Sequence, residues 1–423
     1  MSTFTSKFKS LPTKYQMIDY RLKSFLQAYR KGLLPFQKLA IYTYEYKYLD
    51  LVCSILEKGK PKASRPGQYT ISYKEAFMAL DISGFKVPAL HSRFVPLRSA
   101  LVETLWFISG STDVSYLKEN NVGFWDEWVI PDTAVFEPAN KFIASEMLNY
   151  VRCRYPELYK DWMIHKSNLN IARPEVVDVE DWWAKAAPSK PLLPCVRLVA
   201  GSIGEGAYGY QWRKRKSLEH VPHEKVNDFL QENKNYKGEC ICDSDSGQSY
   251  IVSATYDQLA EVVKQLRTNP DSRRIIIDAW DPARVKDCAL PPCHPWVQFI
   301  SEVNQETGER ELTLKLCMRS SDFLLGGVAN IAQYSMLAHM VAHVTGHKAT
   351  TMIYTAGDCH IYEDQLPFIA EQLNNPVQDI WGDFTLSNPK EIKEIDDFNL
   401  TNTSISGYAI HLTAGRVDYP VAV

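Results

Sequence analysis

The chain has 423 residues, 45% of them hydrophobic and 23% charged, with a formal net charge of -3 at pH 7. That balance excludes a fibrous or disordered chain and leaves no broad basic face, so bound phosphate would be met by a few placed arginines and direct nucleic-acid binding is not expected. No stretch approaches the roughly 18 apolar residues of a membrane span, the first residues carry no apolar signal core, and nine cysteines in that setting read as reduced thiols, which predicts a cytoplasmic protein.

The first forty or so residues mix Lys, Arg, Tyr and Leu without strong caps, and YEYKYLDLVCSILEKGK then sets Leu49, Val52, Cys53 and Leu56 on one helix face. Residues 1–58 are assigned to a helical extension and 59–423 to one domain interrupted at about 130–203 and 214–250. After the turn cluster KASRPGQ, YTISYKEAFMALD alternates as a strand, and PLRSALVETLWFISG reads as a buried helix stopped by Gly110. The first interruption is rich in Pro, Trp and charge. The second, with GECICDSDSGQ, reads as surface elaboration, its Asp/Ser/Gly-rich part as a loop. From Tyr256 onward YDQLAEVVKQLRTNPDSRR is a helix ended by Asn-Pro, RIIIDAW a strand, and HPWVQFISEV with RELTLKLCMR an antiparallel pair. NIAQYSMLAHMVAHVTGH is a long helix closed by Gly346, and TTMIYTAGDCHIY returns as a strand.

Two sets of metal-ligand types are present. His339, His343 and His347 share a helical spacing, but Met340 stands where a metallohydrolase would need a glutamate, and Gly346 ends the helix before the third histidine. His220, His223, Cys240 and Cys242 have atypical spacings for zinc, so no metal is expected. Cys293, in ALPPCHPW, is different because a thiolate nucleophile is favoured by nearby positive charge, and the chain carries Arg273-Arg274 upstream and Arg319-Ser320 downstream. Arginine forks and a serine hydroxyl also suit a phosphate dianion.

DSRRIIIDAW, ALPPCH, RSSDFLLGGVAN and GDCHIY, in that order and spacing, closely resemble the thymidylate synthase superfamily, enzymes that add a one-carbon unit to carbon 5 of a pyrimidine nucleotide. LVETLWFISGSTDVSYLKENNVGFWDEW, AYGYQWR and the terminal PVAV match the same family, so the resemblance runs from about Arg65 to Val423 apart from the two interruptions. It implies an α+β thymidylate synthase-like fold, a large mixed β-sheet packed against helices, with one sheet face at a homodimer interface.

Carried over position by position, the resemblance makes Cys293 the nucleophile that attacks carbon 6 of the ring, followed by His294 as in the family pattern. Glu103 would organise the proton-transfer water network and Tyr208 would assist loss of the carbon 5 proton. Arg65, Arg319 and Ser320 would hold phosphate, with Arg273 and Arg274 reaching in from the other subunit, and His360 and Tyr362 would bind the deoxyribose hydroxyl. Trp125, Trp128, Asp322 and Leu325 would meet the folate cosubstrate, 5,10-methylenetetrahydrofolate, and Val423 would close over it.

The base reader of the family lies eleven residues after the arginine of R-S-x-D, at Asn330. An amide donates to the 4-carbonyl and accepts from the ring NH of uracil, which makes dUMP the expected substrate. The product divides two branches. Gly326, Gly327, Val328, Ala329 and Asn330 stand where synthases have G-x-P-F-N, and Ala329 in place of the phenylalanine leaves room for a water. Met318 before Arg319 resembles the M-R-S of phage deoxycytidylate hydroxymethylases. The favoured expectation is a phage-type dUMP hydroxymethylase, located in the host cytoplasm, with a thymidylate synthase carrying unusual insertions as the alternative. A third expectation, an inactive member that binds nucleotide or RNA, is opposed by the intact Cys293, Glu103, Tyr208 and Arg319.

Overall fold

Residues 16–64, 68–126, 128–129, 134–135, 197–198, 201–232, 236–243, 249–408 and 419 are described by the structure, a computed structural model. The chain divides into two compact units, one formed by Met1–Leu105, Val262–Asp278 and Cys293–Val423, the other by Trp106–Glu261 and Ala279–Pro292.

The first unit is built on a five-stranded mixed sheet. Its order is Ile276–Asp278, Trp296–Val303, Arg310–Met318, Lys348–Ala356 and Ala76–Asp81. Strict alternation in LTLKLCM buries Leu312, Leu314 and Leu316 on one face, which fixes the register against Trp296–Val303 as an antiparallel pair. Arg310–Met318 and Lys348–Ala356 run parallel, so a crossover must join them, and the helix Val328–Thr345 supplies it. That helix is buried on nearly every side, from Val328 and Ile331 to Met340 and Val344, as expected for a helix apolar all round. Gly346, at φ 71°, takes the left-handed cap position that ends it.

A second sheet of this unit has the order Lys60–Ala63, Tyr69–Tyr73, Cys359–Tyr362 and Ser321–Asp322. Two of the expected single strands are divided between the sheets. YTISYKEAFMALD breaks around Lys74-Glu75 into Tyr69–Tyr73 and Ala76–Asp81, and TTMIYTAGDCHIY breaks at Gly357-Asp358 into Lys348–Ala356 and Cys359–Tyr362. The second break has a visible cause: Gly357 N–H donates to Met318 C=O at 2.9 Å and Asp358 N–H to Arg319 C=O at 3.2 Å, which turns the chain from one sheet into the other. Against these layers lies the expected helix Tyr44–Lys58, N-capped by Thr43, with Leu49, Val52, Cys53 and Leu56 buried.

In the second unit the interruption after Lys214 forms, with the segment that follows it, an antiparallel three-stranded sheet, Ser249–Tyr256 lying between Arg215–Pro222 and Tyr236–Asp243. The central strand SYIVSATY is rich in aromatic and β-branched residues, and it pairs along both edges. The Asp/Ser/Gly tract that suggested a loop follows the Tyr236–Asp243 strand. Most of the 130–203 interruption lies outside the described residues; Ala134–Val135 and Arg197–Leu198 pair antiparallel. An ion pair between Arg213 and Asp257, with both side chains at or below 10% exposure, ties the helix Tyr208–Lys214 to the start of Gln258–Thr268. Among the described residues no helix is long and apolar enough to cross a membrane.

Candidate active site

Three motif segments, far apart in sequence, are stitched together by backbone hydrogen bonds. Arg319 N–H donates to Cys293 C=O at 2.9 Å, Ser321 N–H donates to Asp358 C=O at 2.8 Å, and Asp322 pairs with His360 in parallel register. PCH, RSSD and GDCHIY therefore meet at the ends of the two sheets of the first unit. The half-buried Cys293 thiol accepts from Arg319 Nη2 at 3.5 Å, and the Arg319 side chain is exposed. Beside the nucleophile candidate, His294 is buried and in hydrogen-bond contact with the Tyr334 hydroxyl. Burial, reinforced by the Arg319 charge, lowers its pKa to about 3, so the imidazole is neutral in the physiological range.

Asp358 accepts from Lys62 and from Ser72 Oγ, and its Oδ1 lies 3.5 Å from His360 Nδ1. The His360 contact, with Lys62 and Ser72, holds the Asp358 carboxyl well below the usual carboxylate range. His360 Nδ1 also lies 3.1 Å from the Asp358 C=O, and its ring meets Tyr362 edge-on at 5.1 Å. Asp322 accepts from Gln365 Nε2 at 3.0 Å and from Leu325 N–H at 3.3 Å, while Gln365 Oε1 takes the Tyr362 N–H at 3.0 Å. One buried glutamine thus joins Asp322 to Tyr362, which ties the expected folate and sugar positions into one frame. Burial raises the Asp322 pKa.

Asn330 and Ala329 sit in the first turn of Val328–Thr345, which emerges from a π-helical turn over Phe323–Gly327. A Cβ on Gly327 would meet Phe323 at 3.0 Å and Ser321 Oγ at 3.3 Å, so a larger residue would crowd this turn. Asn330 Nδ2 donates to Gln333 Oε1 at 2.9 Å, and Gln333 Nε2 in turn donates to the buried Glu103 carboxylate. Ser320, Leu325, Ala329 and Asn330 are half-buried.

A thymidylate synthase family model matches residues 46–423. The chain belongs to the thymidylate synthase family. It is 29% identical over 368 residues to a probable thymidylate synthase of Schizosaccharomyces pombe, an alignment that covers 86% of this chain and 46% of that protein. The chain thus spans less than half the length of that relative. The family match begins inside the helix Tyr44–Lys58 and takes in both interruptions.

Cys293, His294, Arg319, Ser320, Asp322, Leu325, Asn330, Glu103, His360 and Tyr362 all belong to the first unit. Tyr208, Trp125 and Trp128 belong to the second, where Trp125 meets Tyr208 edge-on at 5.8 Å within a cluster that includes Trp106 and Phe107. Arg273 and Arg274 are exposed in the turn before Ile276–Asp278. Arg65 and Val423 lie outside the described residues, as do the side chains of His220, His223, Cys240 and Cys242. The helix histidines are occupied otherwise: His339 with Lys86 C=O, His343 with Pro389 C=O, and His347, beyond the helix end, with Ser301 and Thr345. Among the described residues no group of three or more His, Cys, Asp or Glu is placed to hold a metal ion.

Three polar residues of the site escaped the sequence reading: Gln333, Tyr334 and Gln365. Each is buried among apolar neighbours, where periodicity marks a core position. A glutamine three residues after Asn330 on a helix is on the same face, and that spacing was the available signal.

Proposed function

We propose that this protein transfers a one-carbon unit to carbon 5 of dUMP through a covalent adduct on Cys293. The observation that carries the proposal is the Cys293–Arg319 pair, a half-buried thiol and a guanidinium at 3.5 Å in segments next to strands, with Ser320, Asp322 and His360 brought to the same place by the pairing of Ser321–Asp322 with Cys359–Tyr362. Cys293 adds to carbon 6, which gives carbon 5 carbanion character. Arg319 and Ser320 bind phosphate, joined by Arg65 and by Arg273 and Arg274 of a second subunit in a homodimer. Asn330 reads the uracil edge. His360 and Tyr362 hold the sugar hydroxyl. Glu103 and Tyr208 manage the proton that leaves carbon 5.

5,10-Methylenetetrahydrofolate supplies the one-carbon unit when bound. The chemistry of the donor set fits it: the Asp322 carboxylate, held by Gln365 and the Leu325 N–H, suits the amine and ring NH groups of a pterin. Leu325, Trp125, Trp128 and Val423 contribute apolar surface.

For the product, the half-buried Ala329 at the first turn of the helix favours addition of water and 5-hydroxymethyl-dUMP. The similarity to a probable thymidylate synthase favours the second reading, hydride transfer giving dTMP and dihydrofolate. Mass spectrometry of the nucleotide formed from dUMP and 5,10-methylenetetrahydrofolate separates them. A hydroxymethyl group supports the first reading, a methyl group the second, and unchanged dUMP contradicts both.

A further inference from the structure

We infer that Gln333 is a specificity-determining residue, a relay that uses the Glu103 carboxylate to fix which way the Asn330 amide points. The inference rests on the assignment of this site to a pyrimidine nucleotide. Gln333 is 3% exposed and Glu103 7%, so neither contact is exchanged freely with bulk water. Gln333 Nε2 donates to Glu103 Oε2, and Gln333 Oε1 accepts from Asn330 Nδ2 at 2.9 Å. Asn330 and Gln333 are three residues apart on the same helix, Val328–Thr345, while Glu103 reaches them from Leu97–Ser109.

The polarity of this chain follows from chemistry. An ionised carboxylate has only acceptors, so the amide facing it must present its NH₂ end. Gln333 then has only its carbonyl to offer Asn330, and Asn330 must present its own NH₂ end in return. What is left of the Asn330 amide for a ligand is one N–H on the Gln333 side and the carbonyl oxygen on the other.

That remaining pair is the complement of uracil, whose 4-carbonyl accepts and whose ring NH donates. Cytosine reverses both groups. Reading it would require Asn330 to turn over, which puts its carbonyl against the Gln333 carbonyl. Turning Gln333 as well only moves the clash to the Glu103 carboxylate. Two buried acceptors facing each other without a proton are costly, so discrimination at the half-buried Asn330 is enforced from Glu103 through Gln333.

The test is equilibrium binding of dUMP, dCMP and 2-deoxyribose 5-phosphate to the full chain, its Gln333→Met variant and its Glu103→Gln variant. Methionine fills similar volume without a polar end, and an amide at position 103 can both donate and accept, so either change frees Asn330 to turn. The expected result is that the dUMP-to-dCMP affinity ratio falls about tenfold or more in both variants, while the baseless sugar phosphate binds within about twofold of the wild type. If Gln333→Met does not fold, the Glu103→Gln ratio decides alone. Variants that keep the full ratio, or that weaken all three ligands alike, overturn the relay while leaving the nucleotide assignment standing. A wild-type chain that binds dUMP no better than the sugar phosphate overturns that assignment and the relay with it.

Discussion

Arg319 touches Cys293 twice: its backbone N–H donates to the Cys293 carbonyl at 2.9 Å and its guanidinium lies 3.5 Å from the thiol sulfur. The first contact constrains the second, because the backbone hydrogen bond holds residue 319 beside residue 293 and so sets where its side chain starts. A cation at this distance favours the thiolate. Arg319→Gln is therefore expected to slow alkylation of Cys293 by iodoacetamide at neutral pH by about three- to tenfold, measured by peptide mapping so that the other cysteines do not confuse the count. An unchanged rate would mean that the guanidinium does not act on the sulfur in solution.

Arg273 and Arg274 are exposed, which suits a role toward a neighbouring subunit. If Arg273 serves the partner's phosphate, Arg273→Ala raises the KM for dUMP, and mixing it with Cys293→Ala restores part of the activity, since each hybrid dimer then holds one intact site. Absence of recovery where subunit exchange is demonstrated would contradict the shared site.

In the proposed reaction the choice of product falls to Ala329. With Ala329→Phe, the larger side chain is expected to exclude water and lower the yield of 5-hydroxymethyl-dUMP while exchange of the carbon 5 proton persists. Overpacking of this kind costs about 1–3 kcal/mol, so the unfolding free energy is measured on the same preparation. A hydroxymethyl yield unchanged in a folded variant would remove Ala329 from that role.

Buried histidines give the fold a definite pH dependence. Burial lowers His294 to about 3 and His339 to about 4, although the Lys86 carbonyl partly opposes this at His339. Between those values and the unfolded value of about 6.5, only the unfolded chain binds the proton, so both groups make stability fall as pH is lowered through that window. Glu45 acts in the opposite sense. Burial raises it to about 7 against the N–H donors of His91 and Ser92, so its share of stability is present below about pH 4.5 and is lost as pH rises toward 7. His339→Gln, which keeps a donor for Lys86 C=O, is expected to reduce the loss of unfolding free energy between pH 7.5 and 5 by about 1–2 kcal/mol, read by equilibrium urea denaturation. The same loss in variant and wild type would contradict a neutral, buried His339.

Much of this architecture was legible because its periodicities are clean. LTLKLCM alternates strictly enough to mark a strand with HPWVQFISEV as its antiparallel partner, and the apolar run from Asn330 to His343 reads as a long helix closed at Gly346. Two strands were merged because the turns that divide them, at Lys74-Glu75 and Gly357-Asp358, are set by pairing with distant segments rather than by local composition. The sheet after Lys214 was missed because a polar tract beside it outweighed SYIVSATY. Motif order singles out Cys293, Arg319 and Asp322 as candidates, which the fold brings into neighbouring segments, whereas the partners of Gln333 and Gln365 become visible only when distant elements bring them within hydrogen-bond distance.

The central claim is that Cys293 activates carbon 5 of dUMP for one-carbon transfer, and release of tritium from dUMP labelled at carbon 5 measures that step whichever product follows. The expected result is release that requires 5,10-methylenetetrahydrofolate and is abolished in Cys293→Ala, with dUMP affinity in that variant kept within about tenfold because the arginines supply most of it. Release that continues at the wild-type rate in Cys293→Ala, or no release from the wild type, would contradict the account.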